Sequence, residues 1–349
     1  MSTTDRTALE VAGRPATRRV SMADVAARAG VSAQTVSRVS NGYPGVLEET
    51  RQQVLAVMAE LGYRPNSAAR ALKSGEFRAI GVIMFTLSST GNMRTLEAIT
   101  TAAQAEGYAI TLLPPIAALD AGADGARHAQ HVVDAVVVVM ERHLLALADL
   151  VLPPGVPVVV ADSDAGDRYA VVDTDQDAGA RSAVQHLLGL GHRTVWHVAG
   201  PDESFAAGRR AGAWERTLRE SGVTVPPPLR GDWSAESGYQ AGLELAARAD
   251  CTAVFVANDH MALGVLRALH DTGRRVPQDI SVVGFDDVPE AASFLPPLTT
   301  VHQDFAEVGR RCVQRVLGQV RGHHAERGTE LVPTRLVVRR STAAPPAAG

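Results

Sequence analysis

The sequence predicts an all-α helix-turn-helix head with a hinge helix, joined to an α/β domain of two lobes built on parallel sheets. Three observations lead there. Residues 20–62 carry short helical patterns separated by tight-turn signals, short apolar runs alternate with amphipathic stretches beyond residue 79, and the charge changes sign between the two parts. Residues 1–78 hold 11 Arg and Lys against 7 Asp and Glu, a net of +4, whereas the rest holds 23 against 31, a net of −8. The whole-chain net charge of −4 hides this asymmetry, which fits a nucleic-acid-reading module on a soluble receptor body. A chain of 349 residues also exceeds what one hydrophobic core usually organises.

Residues 1–18 mix Thr, Ala, Arg, Gly and Pro without an apolar period, and a disordered tail is expected there. They hold no apolar signal core, and no apolar run in the chain is long enough to span a bilayer, so the expected location is the cytoplasm. A head is expected over residues 19–63. Ser21 is placed to cap a first helix with Asp24 three residues on, Val25, Ala26 and Ala29 form its apolar stripe, and Gly30 ends it. Ser32 caps a second helix running to Asn41. A third runs from about Glu48 to Leu61, with Val54, Leu55, Met58 and Leu61 on one face and Gly62 as its stop.

The first two helices have helix-turn-helix spacing: Ala26 and Val31 pack them together, Gly30 relieves the turn, and Val36 and Val39 face inward. Ala33, Gln34, Thr35, Ser37 and Arg38 are left outward at the start of the second helix, where base edges and phosphates of a major groove are reached; Gln34 and Arg38 are the base-reading candidates. An ordinary helical hairpin is the plainer alternative, against which capping, turn and charge all agree. Residues 64–78 read as hinge helix and linker, and the helical stretch ending at Gly75 is too short to be stable without a partner.

Strands are expected at Ile80–Phe85, Tyr108–Leu112, Ala135–Met140, Val156–Ala161, Thr194–Ala199, Ala253–Ala257 and Ile280–Gly284, with helices between them. The effector-binding and dimerisation domain is placed at 79–341, its N-lobe about 79–173 with 303–333 and its C-lobe about 174–302 with 334–341; 342–349 are expected as a disordered tail. Ligand sites of doubly wound sheets lie beyond the carboxyl ends of the strands, where Asp162, Arg210, Asn258-Asp259 and Asp286-Asp287 fall. Carboxylate, guanidinium and amide groups around a cleft suit a polyol, and Trp233 adds an aromatic face for a sugar ring. Taken singly, each has a structural reading: a helix cap, a surface ion pair, a plug in a lobe.

No nucleophile elbow, P-loop, dinucleotide fingerprint or His-Glu-x-x-His pair is present, so neither an enzyme nor a cofactor is expected. His323-His324 reads as a solvated loop rather than a metal site, and Cys251 and Cys312 as buried thiols.

The run Asp24-Val-Ala-Ala-Arg-Ala-Gly-Val-Ser-Ala-Gln-Thr-Val-Ser-Arg-Val-Ser-Asn41 closely resembles the headpiece signature of the lactose-repressor (LacI) family. The likeness continues through Tyr63-Arg-Pro-Asn66 and Val256-Ala-Asn-Asp-His-Met-Ala-Leu-Gly264, covering nearly all of residues 20–341, and in the effector domain it is close to the repressor that names the family. The resemblance implies a periplasmic-binding-protein-like effector domain and a homodimer on a near-palindromic double-stranded operator. It assigns DNA contacts to Ser32, Ala33, Gln34, Thr35, Ser37, Arg38 and Asn41 and, from a hinge helix that folds only on DNA, to Asn66, Ala69 and Leu72. Leu72 matches the leucine that wedges between base pairs in the minor groove. Effector contacts are implied for Phe85, Asp162, Arg210, Trp233, Asn258, Asp286 and Gln303; Phe85 stands where a small polar residue is found in the sugar-responsive relative, and Ala33 where some relatives carry larger side chains. The function implied is a repressor of sugar-utilisation genes released by a sugar such as a galactoside. The alternative is a purine-type regulator whose ligand strengthens DNA binding. An exported sugar-binding protein shares the two lobes but would have no helix-turn-helix. The last residues, Ser-Thr-Ala-Ala-Pro-Pro-Ala-Ala-Gly, cannot form a tetramerising leucine heptad, so a dimer is expected.

Overall fold

The computed structural model describes residues 20–64, 75–87, 89–113, 133–140, 155–324 and 327–346. The expected tail at 1–18, the hinge residues Asn66, Ala69 and Leu72, and residues 347–349 lie outside them. The chain divides into two units, Met1–Glu76 and Phe77–Gly349.

The first unit is the helix-turn-helix head: α1 (Met22–Ala29), α2 (Ala33–Ser40) and α3 (Glu48–Leu61). A full capping box starts α1: Ser21 Oγ accepts from the Asp24 N–H at 3.3 Å, and the Ser21 N–H donates to the Asp24 carboxylate at 2.8 Å. Gly30 ends it at φ 63°, a left-handed conformation that side chains resist and the tight turn requires. Ser32 Oγ caps α2 by accepting from the Thr35 N–H at 3.1 Å. Val25, Ala26, Ala29, Val36, Val39, Val54 and Met58 form the core of the head. Leu55, expected on the inner face of α3, is instead 44% exposed: one residue past Val54 it is turned about 100° away from the stripe that Val54 and Met58 share.

The second unit carries two six-stranded sheets of matching plan. In the first, strands β1 (Ala79–Met84), β2 (Ala109–Leu113), β3 (Ala135–Val139), β4 (Val158–Ala161), β5 (Ala170–Thr174) and β11 (Gly328–Val332) lie in the order β11-β5-β4-β3-β1-β2, all parallel. In the second, β6 (Trp196–Ala199), β7 (Leu229–Arg230), β8 (Ala253–Val256), β9 (Ser281–Asp286), β10 (Thr299–His302) and β12 (Arg335–Val337) lie in the order β12-β10-β9-β8-β6-β7, antiparallel only where β12 meets β10. The unbroken apolar runs of β3 and β4 are buried along their whole length, as strands covered on both faces must be. α4 (Thr90–Ala105) and α9 (Phe305–Val320) cover one face of the first sheet. α5 (Gln176–Gly189) and α6 (Phe205–Glu220) cover one face of the second, and α7 (Ala235–Ala246) and α8 (Asp259–Asp271) the other. α7 and α8 approach closely enough that a Cβ on Gly264 would stand 1.9 Å from the Ala235 carbonyl oxygen.

The chain passes between the sheets at residue 175, at 303–304 and at 333–334. These passages are tied together: the Asp175 N–H donates to Val332 O at 2.8 Å, Thr334 Oγ1 donates to Asp175 O at 3.2 Å, and Gln176 Nε2 donates to Gln303 Oε1 at 3.4 Å. Thr342 and Ala343, placed by the sequence reading at the start of a disordered tail, hydrogen-bond to the second lobe. The Ala343 N–H donates to Ser281 Oγ at 3.0 Å, its carbonyl lies 3.0 Å from His192 Nε2, and Thr342 Oγ1 lies 3.0 Å from His186 Nε2. Cys251 and Cys312 are both buried, and no described helix is long and apolar enough to cross a membrane.

Candidate functional site

In the head, Ser32, Ala33, Gln34, Arg38 and Asn41 are exposed and Thr35 and Ser37 half-buried, while Val36 and Val39 anchor the same helix from behind. The end residues are already engaged: Ser32 caps the helix start, and Asn41 Nδ2 donates to Ser37 O at 2.8 Å. Gln34 and Arg38 therefore present the long side chains between two fixed ends, with the Arg38 guanidinium 6.0 Å from the Tyr43 ring centre. Tyr43 is 59% exposed on the turn after α2, and Arg51 donates to its carbonyl at 2.7 Å and fixes that turn.

In the second unit, the carboxyl ends of both sheets meet at a cleft, where ligand sites of doubly wound sheets lie. Asp162, Arg210, Trp233, Asn258, Asp286 and Gln303 line it. Phe85 does not: it packs half-buried against the apolar face of the first sheet that holds Val138 and Val160.

Arg210 is the hub. Its Nε donates to Gln176 Oε1 at 2.8 Å, its Nη1 donates to the Ala257 carbonyl and lies 3.7 Å from the Asp286 carboxylate, and its guanidinium sits 3.8 Å from the Phe285 ring centre. Burial pulls the Arg210 pKa down, and Asp286 is the strongest of the carboxylates opposing it. Burial likewise pushes the Asp286 carboxyl up, against Arg210 and the Gln303 amide, which donates to it at 2.6 Å. Asn258 works as a brace: its Oδ1 caps α8 by accepting from the Met261 N–H at 2.8 Å, and its Nδ2 donates to the Trp233 carbonyl at 3.1 Å. The Trp233 indole lies over Gly200, where a Cβ would stand 2.4 Å from the ring, so that position must lack a side chain. Behind the cleft, burial and then Asp286 push the Asp259 carboxyl up to about 8.

Asp162 (φ 52°), Trp233 (φ 75°) and Asp286 (φ 114°) all hold left-handed backbone. Strain of this kind costs about 1–3 kcal/mol per residue and gathers where a side chain must be aimed. The sequence reading missed Asp173, Gln176 and Asn92, which also line the cleft. Asp173 lies near the end of β5 and Gln176 begins the helix after it, so the strand-end rule would have found both had the run Ala-Val-Val-Asp-Thr been read as a strand.

Residues 21–66 match the family model of bacterial regulatory proteins of the lacI family, and residues 184–342 that of a periplasmic binding protein-like domain. The chain is 36% identical to the lactose operon repressor of Escherichia coli (strain K12) over 331 residues, 93% of this chain and 91% of that one. It is 35% identical to the transcriptional repressor PurR of Proteus mirabilis (strain HI4320), over 92% of this chain and 96% of the relative. Among solved structures, the lac repressor dimer bound to operator and the anti-inducer ONPF matches with a TM-score of 0.79 and 34% identity, over 94% of this chain and all of that one. The two-lobed fold and its helix-turn-helix head thus recur together in relatives that are transcriptional regulators and not enzymes, and this chain belongs to the lacI family of bacterial regulatory proteins.

Proposed function

We propose that the protein represses sugar-utilisation genes and leaves its operator when a sugar, such as a galactoside, occupies the cleft. The observation that carries this reading is the cleft's own chemistry. A guanidinium flanked by a carboxylate, with amides on either side, sets fixed donors and acceptors along the cleft that suit the hydroxyls of a polyol, and Trp233 offers an aromatic face. Arg210, Asp286, Gln303, Asn258 and Asp162 are the proposed effector contacts. Phe85, outside the cleft lining, is dropped from that set.

On the DNA side, a homodimer places two copies of α2 in successive major grooves of a near-palindromic operator, with Gln34 and Arg38 reading bases and Ser32, Ala33, Thr35, Ser37 and Asn41 around them. Asn66, Ala69 and Leu72 act in the minor groove, where a wedged leucine favours flexible central steps. Sugar in the cleft changes how the N-lobes of the dimer meet and separates the hinge helices. Coupling of this kind is reciprocal, so bound operator weakens sugar binding by the same factor.

The purine-type alternative is favoured by one finding, the 35% identity to a PurR repressor over 92% of the chain. A thermal-shift screen against glycosides, free sugars and purines separates the two, because a ligand at about 100 times its Kd stabilises by roughly 2.7 kcal/mol. A shift with glycosides alone supports the induced repressor, and a shift with purines alone replaces it with the corepressor reading. Leu72→Ala should weaken operator binding and spare effector binding, checked by anisotropy and calorimetry; equal loss of both would remove Leu72 from the DNA interface.

A further inference from the structure

Arg209 and Arg210 are neighbours in sequence and point to different lobes. Arg210 turns into the second lobe's half of the cleft, as described. Arg209, turned about 100° around α6, crosses to the first lobe. Its Nη1 bonds the Asp173 carboxylate at the end of β5, and its Nη2 donates to the Ser163 carbonyl at 2.8 Å, in the loop after β4. The other Asp173 oxygen accepts from the Thr174 N–H at 2.7 Å, so both carboxylate oxygens are engaged. Phe205, one turn before Arg209 on the same face of α6, is buried in the first lobe among Val138, Met140 and Val160. The opening turns of α6 thus belong to the second lobe by their backbone and to the first lobe by two side chains.

We propose that these turns of α6 are the latch between the lobes, with Arg209 as the positioning residue that holds the closed arrangement and Arg210 as the effector contact on the same rigid rod. The proposal rests on the reading of the cleft as the effector site and says how occupancy is transmitted. A shift of Arg210 towards or away from a ligand carries Arg209 and Phe205 with it, because helix residues one and five positions apart cannot move separately. The latch is reversible. Asp173 lines the cleft and Arg209 keeps a 27% exposed side chain, so opening returns both charges to water instead of stranding either. Asp173 is 3% exposed when latched, so the pair is shielded from salt in the closed state. Asp173 is then a closure residue rather than a ligand contact, which accounts for a third carboxylate at a cleft that already has Asp162 and Asp286.

The test reads lobe separation without any effector. Both native cysteines are buried, so nitroxides at Gln314→Cys on α9 and Glu244→Cys on α7 report the distance between lobes by double electron–electron resonance in the full-length protein. With labelled chains diluted into excess unlabelled protein, so that a dimer carries at most one labelled chain, the parent should give one narrow distance. Arg209→Met, which keeps the stem and loses the guanidinium, should add a second, longer population. Arg209→Lys should fall between them, since one ammonium cannot span a carboxylate and a carbonyl as the planar fork does. If Arg209→Met retains its circular dichroism spectrum and shows only the parental distance, the latch is overturned. If it fails to fold because Asp173 is stranded, Arg209→Met/Asp173→Leu is read instead: a longer population supports the latch, and the parental distance alone overturns it. Titration of the parent with isopropyl thiogalactoside, lactose and hypoxanthine is scored separately. Binding of hypoxanthine alone removes the sugar reading and leaves the latch standing.

Discussion

The first sheet is filled with valine, isoleucine and alanine, with the helices that cover it adding Val308, Val313, Val316 and Leu317. The second sheet, laid out on the same strand plan, buries Trp196, His197, Trp214, Phe255 and Phe285, and places Arg210, Trp233, Asn258 and Asp286 at its cleft edge. In the second lobe the cleft-facing guanidinium rests on aromatic rings: Arg210 on Phe285, and Phe285 in turn 6.3 Å from Phe255, which stacks on His197 at 4.8 Å. The first lobe faces the cleft with Asp162, Asp173 and the start of α4, set on an aliphatic core. The difference separates two tasks. On the proposed reading of the cleft, the second lobe would hold a preorganised receptor surface whose charges are locked by packing, and the first lobe would be a stiff plate moved against it.

This contrast gives predictions in descending size. Arg210→Ala leaves Asp286 buried without its cation, and breaking such a pair costs about 3–5 kcal/mol. Denaturant unfolding should show that loss together with abolished effector heats and retained operator binding; an effector response equal to the parent's would unseat Arg210 as the hub. His197 comes next. It is fully buried, its Nδ1 lies 2.8 Å from the Phe255 carbonyl oxygen, and burial pulls its pKa from 6.5 down to about 4. The folded state therefore holds fewer protons than the unfolded chain, so its contribution is intact above pH 6.5 and is lost as pH falls to about 4, amounting to about 3 kcal/mol. His197→Phe should remove most of that slope from a pH series of melting curves. Gly200→Ala drives a methyl into the Trp233 ring and should cost about 1–3 kcal/mol, with a shifted tryptophan emission; an unshifted spectrum would mean the indole is not held as described. Asp162→Asn in the first lobe should change stability by no more than about 0.5 kcal/mol, because asparagine tolerates its left-handed backbone, yet should weaken effector binding in calorimetry. A stability loss as large as that of Arg210→Ala would erase the contrast between the lobes.

How much was legible in the sequence divides along the same physical lines. In the head everything is local: a cap, a stripe and a glycine stop occur within a dozen residues, so Ser21, Asp24, Gly30, Ser32 and Gly62 announce the elements they bound. Buried parallel strands announce themselves by apolar runs, as β1, β3, β4 and β8 do. β5, β10, β11 and β12 do not, since Asp173, Thr299, Thr300, Glu330 and Arg335 interrupt the run wherever the strand meets the cleft, a polar cluster or an edge. The cleft residues that follow recognised strands were found, and those after the unrecognised β5 were missed. Phe85 was misplaced for a related reason: its position one residue past β1 suggests the cleft, but the side chain turns to the apolar face of the sheet instead. Arg209 was overlooked beside Arg210 because sequence shows two adjacent cations and only the helix separates them by direction.

The passages at 175, 303–304 and 333–334 also bear on how such a protein is able to change over generations. Neither lobe is a continuous stretch of gene: α9 and β11 of the first lobe are encoded after every strand of the second except β12. A recombination event that exchanges one lobe must therefore join at all of these seams together. New effector preferences are then acquired by point substitution around a fixed frame, while the head, encoded as one contiguous stretch, is free to be traded whole.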